Sequence, residues 1–208
     1  MNLKDKTRIF IIESPSETDI SHNRKEGLAL SEMLKLANIE NIYFQVSDKV
    51  TFSECLEKIL QVESKKERFP TLHFSLHGNE DGIALTNQEF LTWEQLYEGY
   101  LKSFIEKLGY EETNIGNIVA PLHLHFSVCK GFYGKKVKEF AKHSPYISLV
   151  GPIVEVNWSD SLLAFMTFYH NTIHKPIGPR TAAQKMNLAA NLDNVFQVDL
   201  AENFRFTK

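Results

Sequence analysis

The sequence predicts an α/β fold in three layers, a mainly parallel central sheet with helices on both faces. Apolar segments of strand length recur from residue 8 to about residue 198. Most are separated by helical stretches of about 12 to 17 residues, the length that a crossover between parallel strands requires. No Pro/Gly/Ser-rich linker, internal repeat or low-complexity tract interrupts the series, so a single domain over residues 1–208 is expected.

The first strand is RIFIIE, 8–13, closed by Ser14-Pro15. A polar loop follows, then a helix from about Arg24 to Ala37 with Leu28, Met33, Leu34 and Leu36 as its apolar side. NIYFQV, 41–46, is the second strand. The next helix is expected to start at a cap near Thr51, where Glu54 three residues on completes a capping box. Pro70 introduces TLHFSL, the third strand, and the turn formers of 78–82 lead to a short apolar IAL. Thr92 and Gln95 offer a second capping box for a helix from Trp93 to about Leu108. LHLHFSV, 122–128, is a fourth core strand, and FYGKKVKEFAKH is helical at least from Lys135. YISLVG, 146–151, is a fifth strand, and SDSLLAFMTFYHNTIH, 159–174, an apolar helix started by Ser159 or Asp160. TAAQKMNLAANL, 181–192, gives the last helix and VFQVDL, 195–200, an edge strand.

With 208 residues and 43% hydrophobic content the chain can bury one sizeable core. A formal charge of -3 argues against nucleic-acid contact by phosphate neutralisation. The segment MNLKDKTRIFII lacks the pattern of a secretory signal, and no stretch approaches the roughly 18 to 20 apolar residues of a membrane span. No membrane contact and a cytoplasmic location are therefore expected. The longest charged tract, ESKKER at 63–68, is mixed in sign and reads as the wet end of a helix.

Two cysteines, Cys55 and Cys129, cannot make a disulfide framework. Cys55 falls on one stripe with Leu56, Ile59 and Leu60, as a small buried hydrophobe does. Cys129 stands elsewhere. The segments LHFSLHG and LHLHFSVC share one alternation: Leu72, Phe74 and Leu76 against His73, Ser75 and His77, and Leu122, Leu124, Phe126 and Val128 against His123, His125, Ser127 and Cys129. Parallel neighbouring strands would then bring an imidazole and a thiol to one rim, where open α/β sheets gather their reacting groups. A histidine within hydrogen-bond reach activates a thiol as a nucleophile, and backbone N–H groups near Gly78 and Cys129 can meet an oxyanion. Taken singly, His77 reads equally well as a satisfied structural histidine, and Cys129 reads better as a small buried residue. A zinc reading of His73, His77, His123, His125 or Cys129 lacks any Cys-x-x-Cys pair, and no metal or cofactor is expected.

LHFSLHG, the short DGIAL with LTWEQL behind it, LHLHFSVCKGFYG, and SLVGPIVEVNWSDSLLAFMTFY together resemble the caspase-like clan of cysteine peptidases, closest to the CHAT-type, separase-related bacterial branch. The resemblance spans about residues 7 to 175 and implies a caspase-like three-layer sandwich. It also implies His77 as base, Cys129 as nucleophile and the backbone of Gly78 and Cys129 as oxyanion donors of a Cys-His dyad endopeptidase. Val128 stands where the branch has a small residue, and Glu155, Trp158 and Asp160 occupy the substrate-binding neighbourhood with shifted spacing. An acid there would select a basic residue before the cut, whereas Arg24, Lys130 and Lys135 would favour an acidic one. Asp160 also suits a helix cap, and Asp81 reads better as the cap of its own turn than as a third catalytic partner. The substrate class is protein or peptide. Relatives of this branch act in regulated proteolysis or bacterial defence with protein partners, so control by a partner is expected here. The rival reading is a catalytically silent caspase-like interaction or regulatory module. A thiol-dependent transferase would share the dyad but require a tunnel for a small acyl donor.

Overall fold

The computed structural model describes residues 7–63, 69–112, 118–175 and 177–201. Residues 64–68 of the charged tract read as a helix end lie outside the described residues. The elements in chain order are β1 Thr7–Ser14, α1 Glu17–Ser21, α2 Glu26–Leu36, β2 Asn41–Gln45, α3 Lys49–Glu63, β3 Phe69–Asn79, β4 Gly82–Ala84 and β5 Phe90–Thr92. A helix then runs as α4 Trp93–Leu96, a π turn Tyr97–Leu101 and α5 Lys102–Leu108. The short strands β6 Glu111–Glu112 and β7 Ile118–Val119 pair with each other, followed by β8 His123–Ser127 and a 3-10 segment Gly131–Glu139. The chain continues with β9 Ser148–Pro152, α6 Trp158–Tyr169, a second π turn His170–His174, α7 Pro179–Ala189 and β10 Phe196–Leu200.

The main sheet has the order β10-β9-β8-β3-β1-β2. All its neighbours are parallel except β10, which runs antiparallel to β9 as the edge strand. Strand alternation divides the core. Phe10, Ile12, Leu72, Phe74, Leu124 and Phe126 pack with α3, α4 and α5, while Ile9, Ile11 and Val150 pack with α2, α6 and α7. The observed architecture is thus α/β with helices on both faces of a mostly parallel, open sheet. From β1 the chain steps outward to β2, then returns to the other side of β1 as β3. This reversal makes the C-terminal ends of β1 and β3 a topological switch point, the place where open α/β sheets bind their ligands.

Three boundaries differ from the sequence expectation for local reasons. Helix α3 starts ahead of Thr51 because Asp48 is its cap: Asp48 Oδ1 accepts from Thr51 N at 2.8 Å, and Thr51 Oγ1 accepts from Asp48 N at 3.1 Å. The helix after Thr92 keeps its predicted capping box with Gln95 but widens into a π turn around Gly99, a residue of low helix propensity. Helix α6 begins at Trp158, one residue before the expected cap, with Asn157 in the cap position.

On the α2/α6 face, β3 and β8 present a row of polar side chains in register: Thr71 beside His123, His73 beside His125 and Ser75 beside Ser127. Tyr169 OH lies 2.9 Å from Nδ1 of both His73 and His125. A phenol has one proton, so it donates to one ring and accepts from the other. The remaining Nε2 atoms of both rings are buried without a hydrogen-bond partner. Burial holds both imidazoles neutral, bringing His73 down to about 3 and His125 well below its ordinary value.

Their folded-state values are depressed, so the unfolded chain binds the extra protons and stability falls as pH drops below about 6.5. Acidification from pH 7 to 5 should lower the unfolding free energy by about 4 kcal/mol from this pair, at about 1.4 kcal/mol per histidine per pH unit. Urea unfolding at the two pH values measures it. His73→Phe should remove about half of the difference, and Tyr169→Phe should cost about 1–3 kcal/mol at pH 7 by stranding imidazole nitrogens.

Candidate active site

The β3–β8 register ends at Ser75 beside Ser127; His77 follows Ser75 by two residues within β3, and Cys129 follows Ser127 by two, in the turn past the end of β8. Both lie at the C-terminal edge of the sheet. The strand continuations are in contact there: a Cβ built on Gly78 would meet Val128 Cγ1 at 2.6 Å and Gly82 O at 2.5 Å. Gly78 serves close approach; its φ is not positive, so the unusual dihedral that a glycine permits is not what this position uses. Gly78 belongs to the antiparallel β3–β4 hairpin, opposite Ile83, and the hairpin folds back over the strand end.

Cys129 occupies the sharp turn between β8 and the 3-10 segment. Lys130 follows in the left-handed region with φ 57, a conformation uncommon for a long side chain and met at functional turns. The turn is fixed from both sides, with Lys130 N donating to Val154 O at 3.0 Å and Gly131 N to Val128 O at 2.8 Å. A side chain at Gly131 would meet Phe126 Cβ at 2.6 Å, so this turn also depends on a glycine packed against β8. Cys129 is half-buried, and its Sγ–H donates to Val156 O at 3.7 Å. Cys55, in contrast, is a core residue whose thiol burial pushes up to about 12.

His77 has a partner that the sequence reading missed. Its Nε2 lies 2.6 Å from Oδ2 of Asp19, whose side chain is 3% exposed against 44% for the imidazole. Asp19 sits in α1, a single turn where only a polar loop was expected. The signal was present as Ser16-x-x-Asp19, a capping box in which Ser16 Oγ accepts from Asp19 N while Oδ2 accepts from Ser16 N and Oγ. Arg24 adds an ion pair at 3.1 Å. Burial works to raise the Asp19 pKa, but hydrogen bonds from Ser16 and His77 outweigh it and hold the carboxyl below its ordinary value. An ionised Asp19 accepts, so Nε2 of His77 carries a proton, and in the neutral ring Nδ1 is then the nitrogen with the lone pair.

The expected substrate-binding residues separate. Trp158 lies against His77, with ring centroids 5.1 Å apart and planes at 73°. Asp160 receives a 3.4 Å hydrogen bond from Asn157 in the first turn of α6, as a cap-region acid does. Glu155 is exposed on the loop before α6 and acts on Lys130 through its charge. The cations are each engaged: Arg24 with Asp19, Lys130 with Glu80 at 2.7 Å, and Lys135 over the Phe132 ring at 4.8 Å. Lys136 Nζ also donates to Glu80 O at 3.1 Å, so lysines on both sides of Gly131 tie the hairpin tip to the Cys129 turn. Asp81 N donates to Asn79 Oδ1 at 2.8 Å and Asp81 O accepts from Trp93 N at 3.0 Å, which makes Asp81 part of its own turn.

Beneath the rim, Ser75 Oγ donates to Glu26 Oε2 at 2.5 Å, and the Ser127 and Ser161 hydroxyls are hydrogen-bonded at 2.6 Å, either one able to donate. Among the described residues no group of three or more His, Cys, Asp or Glu side chains could hold a metal ion. No helix among them is long and apolar enough to cross a membrane. No protein-family model matches the chain, and no curated protein matches it.

Gly78→Ala should lower stability by about 1–3 kcal/mol, since neither Gly82 O nor the buried Val128 can recede freely. Thermal unfolding beside Gly99→Ala checks it, because a Cβ at Gly99 meets nothing within 4 Å and should be neutral or stabilising.

Proposed function

We propose that the protein is a cysteine endopeptidase of the caspase-like, CHAT-related kind, working in the cytoplasm on protein or peptide substrates. The observation that supports this reading is the Asp19–His77 hydrogen bond, at the end of a strand whose neighbour β8 runs parallel to it and is followed two residues on by Cys129. The conclusion rests on the site, since a three-layer α/β architecture hosts many activities.

In this mechanism Nδ1 of His77 takes the thiol proton, and the Cys129 thiolate attacks the scissile carbonyl. The oxyanion that forms is met by the backbone N–H groups of Gly78 and Cys129. Collapse of the intermediate breaks the C–N bond as His77 protonates the departing amine. His77 then removes a proton from water, which attacks the acyl-enzyme and releases the new carboxylate with the free thiol. Asp19 holds the imidazole in the required tautomer and stabilises the imidazolium. Trp158 forms a wall beside the base, and the exposed Glu155 on the loop before α6 supplies the negative charge for a basic residue before the cut, with Asp160 left to the cap of α6. No cofactor enters the scheme.

The thiol's hydrogen bond to Val156 O supports control by a partner: attack requires Sγ to turn from that carbonyl toward the imidazole. The same bond favours the second reading, a silent interaction module in which this turn never occurs.

A peptide-library cleavage assay separates them. Wild-type protein should cleave and Cys129→Ala should not; cleavage that survives in the alanine variant removes Cys129 from the mechanism. Asp19→Asn should reduce kcat by about 10²- to 10⁴-fold with a smaller effect on KM, because it alters the tautomer rather than the substrate contacts.

A further inference from the structure

The polar floor below the rim contains a buried carboxyl group that the proposed reaction does not use. Glu26 opens α2 and is more than nine-tenths buried. Its Oε2 accepts from Ser75, and its Oε1 is buried without a hydrogen-bond partner. Helix α2 is pressed close at this point: a Cβ on Gly27 would meet Ser75 Cβ at 3.0 Å and Glu13 Cβ at 3.1 Å. Ser75 precedes His77 by two residues, and its register partner Ser127 precedes Cys129 by two. Ser127 in turn bonds Ser161 in α6, the helix whose first residue is Trp158 beside His77.

We infer that Glu26 is a positioning residue of the candidate centre, coupling helix α2 to the strand ends that bear His77 and Cys129 and, through Ser127, to the helix that carries Trp158. This rests on the proposed site but is separable from peptidase activity.

The groups facing Glu26 fix the direction of the effect. From β1 comes Glu13, whose carboxylate is bonded by Gly27 N, Leu28 N and Tyr43 OH and lies in the field of Lys25. From β3 and β8 come the hydroxyls of Ser75 and Ser127 with neutral His73 and His125 beyond them, and from α6 come Ser161 and Tyr169. Among the described residues no cation pairs with Glu26. Burial raises its pKa to about 8, the two serine hydroxyls working against that shift and the Glu13 charge adding to it. The resting carboxyl is neutral. Once ionised, its orphan oxygen calls for a donor, and the Ser127 hydroxyl, which already acts on this carboxyl, supplies one by turning its proton away from Ser161, which then donates to Ser127 in its place. The reversed bond between β8 and α6 is felt at the start of α6, where Trp158 packs against the imidazole and becomes more exposed.

Two measurements test this without substrate. Carbon NMR of the glutamate carboxyls, assigned by Glu26→Gln, should show one group titrating near pH 8. Tryptophan emission should shift to the red across the same range in wild type and Ser161→Thr, which keeps the hydroxyl. It should be unchanged in Glu26→Gln, Ser127→Ala and Trp158→Phe. Absence of a carboxyl titrating between about pH 7 and 9, or a red shift that persists in Glu26→Gln, overturns the inference. In the cleavage assay, wild-type kcat should fall about threefold to tenfold from pH 7.5 to 9, the effect of half to one pKa unit. Glu26→Gln should hold its rate over that range. A coupled titration and emission change in a protein that cleaves nothing supports the positioning role and overturns the peptidase reading instead.

Discussion

The parallel pairing of β3 with β8 is the constraint on which the site depends. Parallel strands keep a fixed register with side chains alternating between faces, so one correct pairing places every later pair. Here Thr71 beside His123 sets His73 beside His125 and Ser75 beside Ser127. A slip of one residue would turn Leu72, Phe74, Leu124 and Phe126 away from α3, α4 and α5, against which they are fully buried. The hydrophobic core therefore enforces the alignment of polar residues on the opposite face.

That polar face is costly. Most buried strands in a parallel sheet are apolar on both sides, yet β3 and β8 bury imidazoles and hydroxyls beneath α2 and α6. Tyr169 satisfies one nitrogen of each of two histidines, Ser161 satisfies Ser127, and Ser75 satisfies one oxygen of Glu26. The other atoms of these groups stay unmatched. Buried polar groups of this kind oppose folding, and in enclosed surroundings their interactions are strong. Their placement, running in file up to His77 and Cys129, links the destabilised part of the core to the rim where chemistry would occur.

Much of this was legible in the chain. Period-two alternation in LHFSLHG and LHLHFSVC marked both faces of the central strands, and helices of crossover length pointed to a mainly parallel sheet, though not to its strand order. Such patterns survive because tertiary packing acts on the same face that the pattern marks. The Thr92–Gln95 box was equally readable, since it needs only two residues at fixed spacing. Asp19 was not found for the opposite reason: α1 is five residues long, too short to show a helical period, and the Ser16–Asp19 box was its sole local mark. Glu26 escaped notice because nothing in a helix start distinguishes a wet acid from one that Gly27 lets settle onto a sheet. Boundaries such as Asp48 against Thr51 shift by a turn because either residue offers an oxygen of the right kind, and only the three-dimensional path chooses between them.

Asp19 also changes what the strand ends can do chemically. An isolated imidazole beside a thiol is free to adopt either tautomer, and in one of them the wrong nitrogen holds the lone pair. A buried carboxylate at 2.6 Å removes that freedom before any substrate arrives. The cost of burying Asp19 is met locally by Ser16, Arg24 and its own helix turn, so the orienting group is in place independently of the thiol. Cys129 is the member whose hydrogen bond points elsewhere, to Val156 on the loop that leads into Trp158. On the proposed reading the base is thus prepared and the nucleophile held by a loop, an arrangement in which movement of residues 153–157 would control access of thiol to imidazole. A centre that worked in this way would be regulated most economically at that loop, because the elements that carry His77 and Asp19 are fixed by the sheet and by the cap.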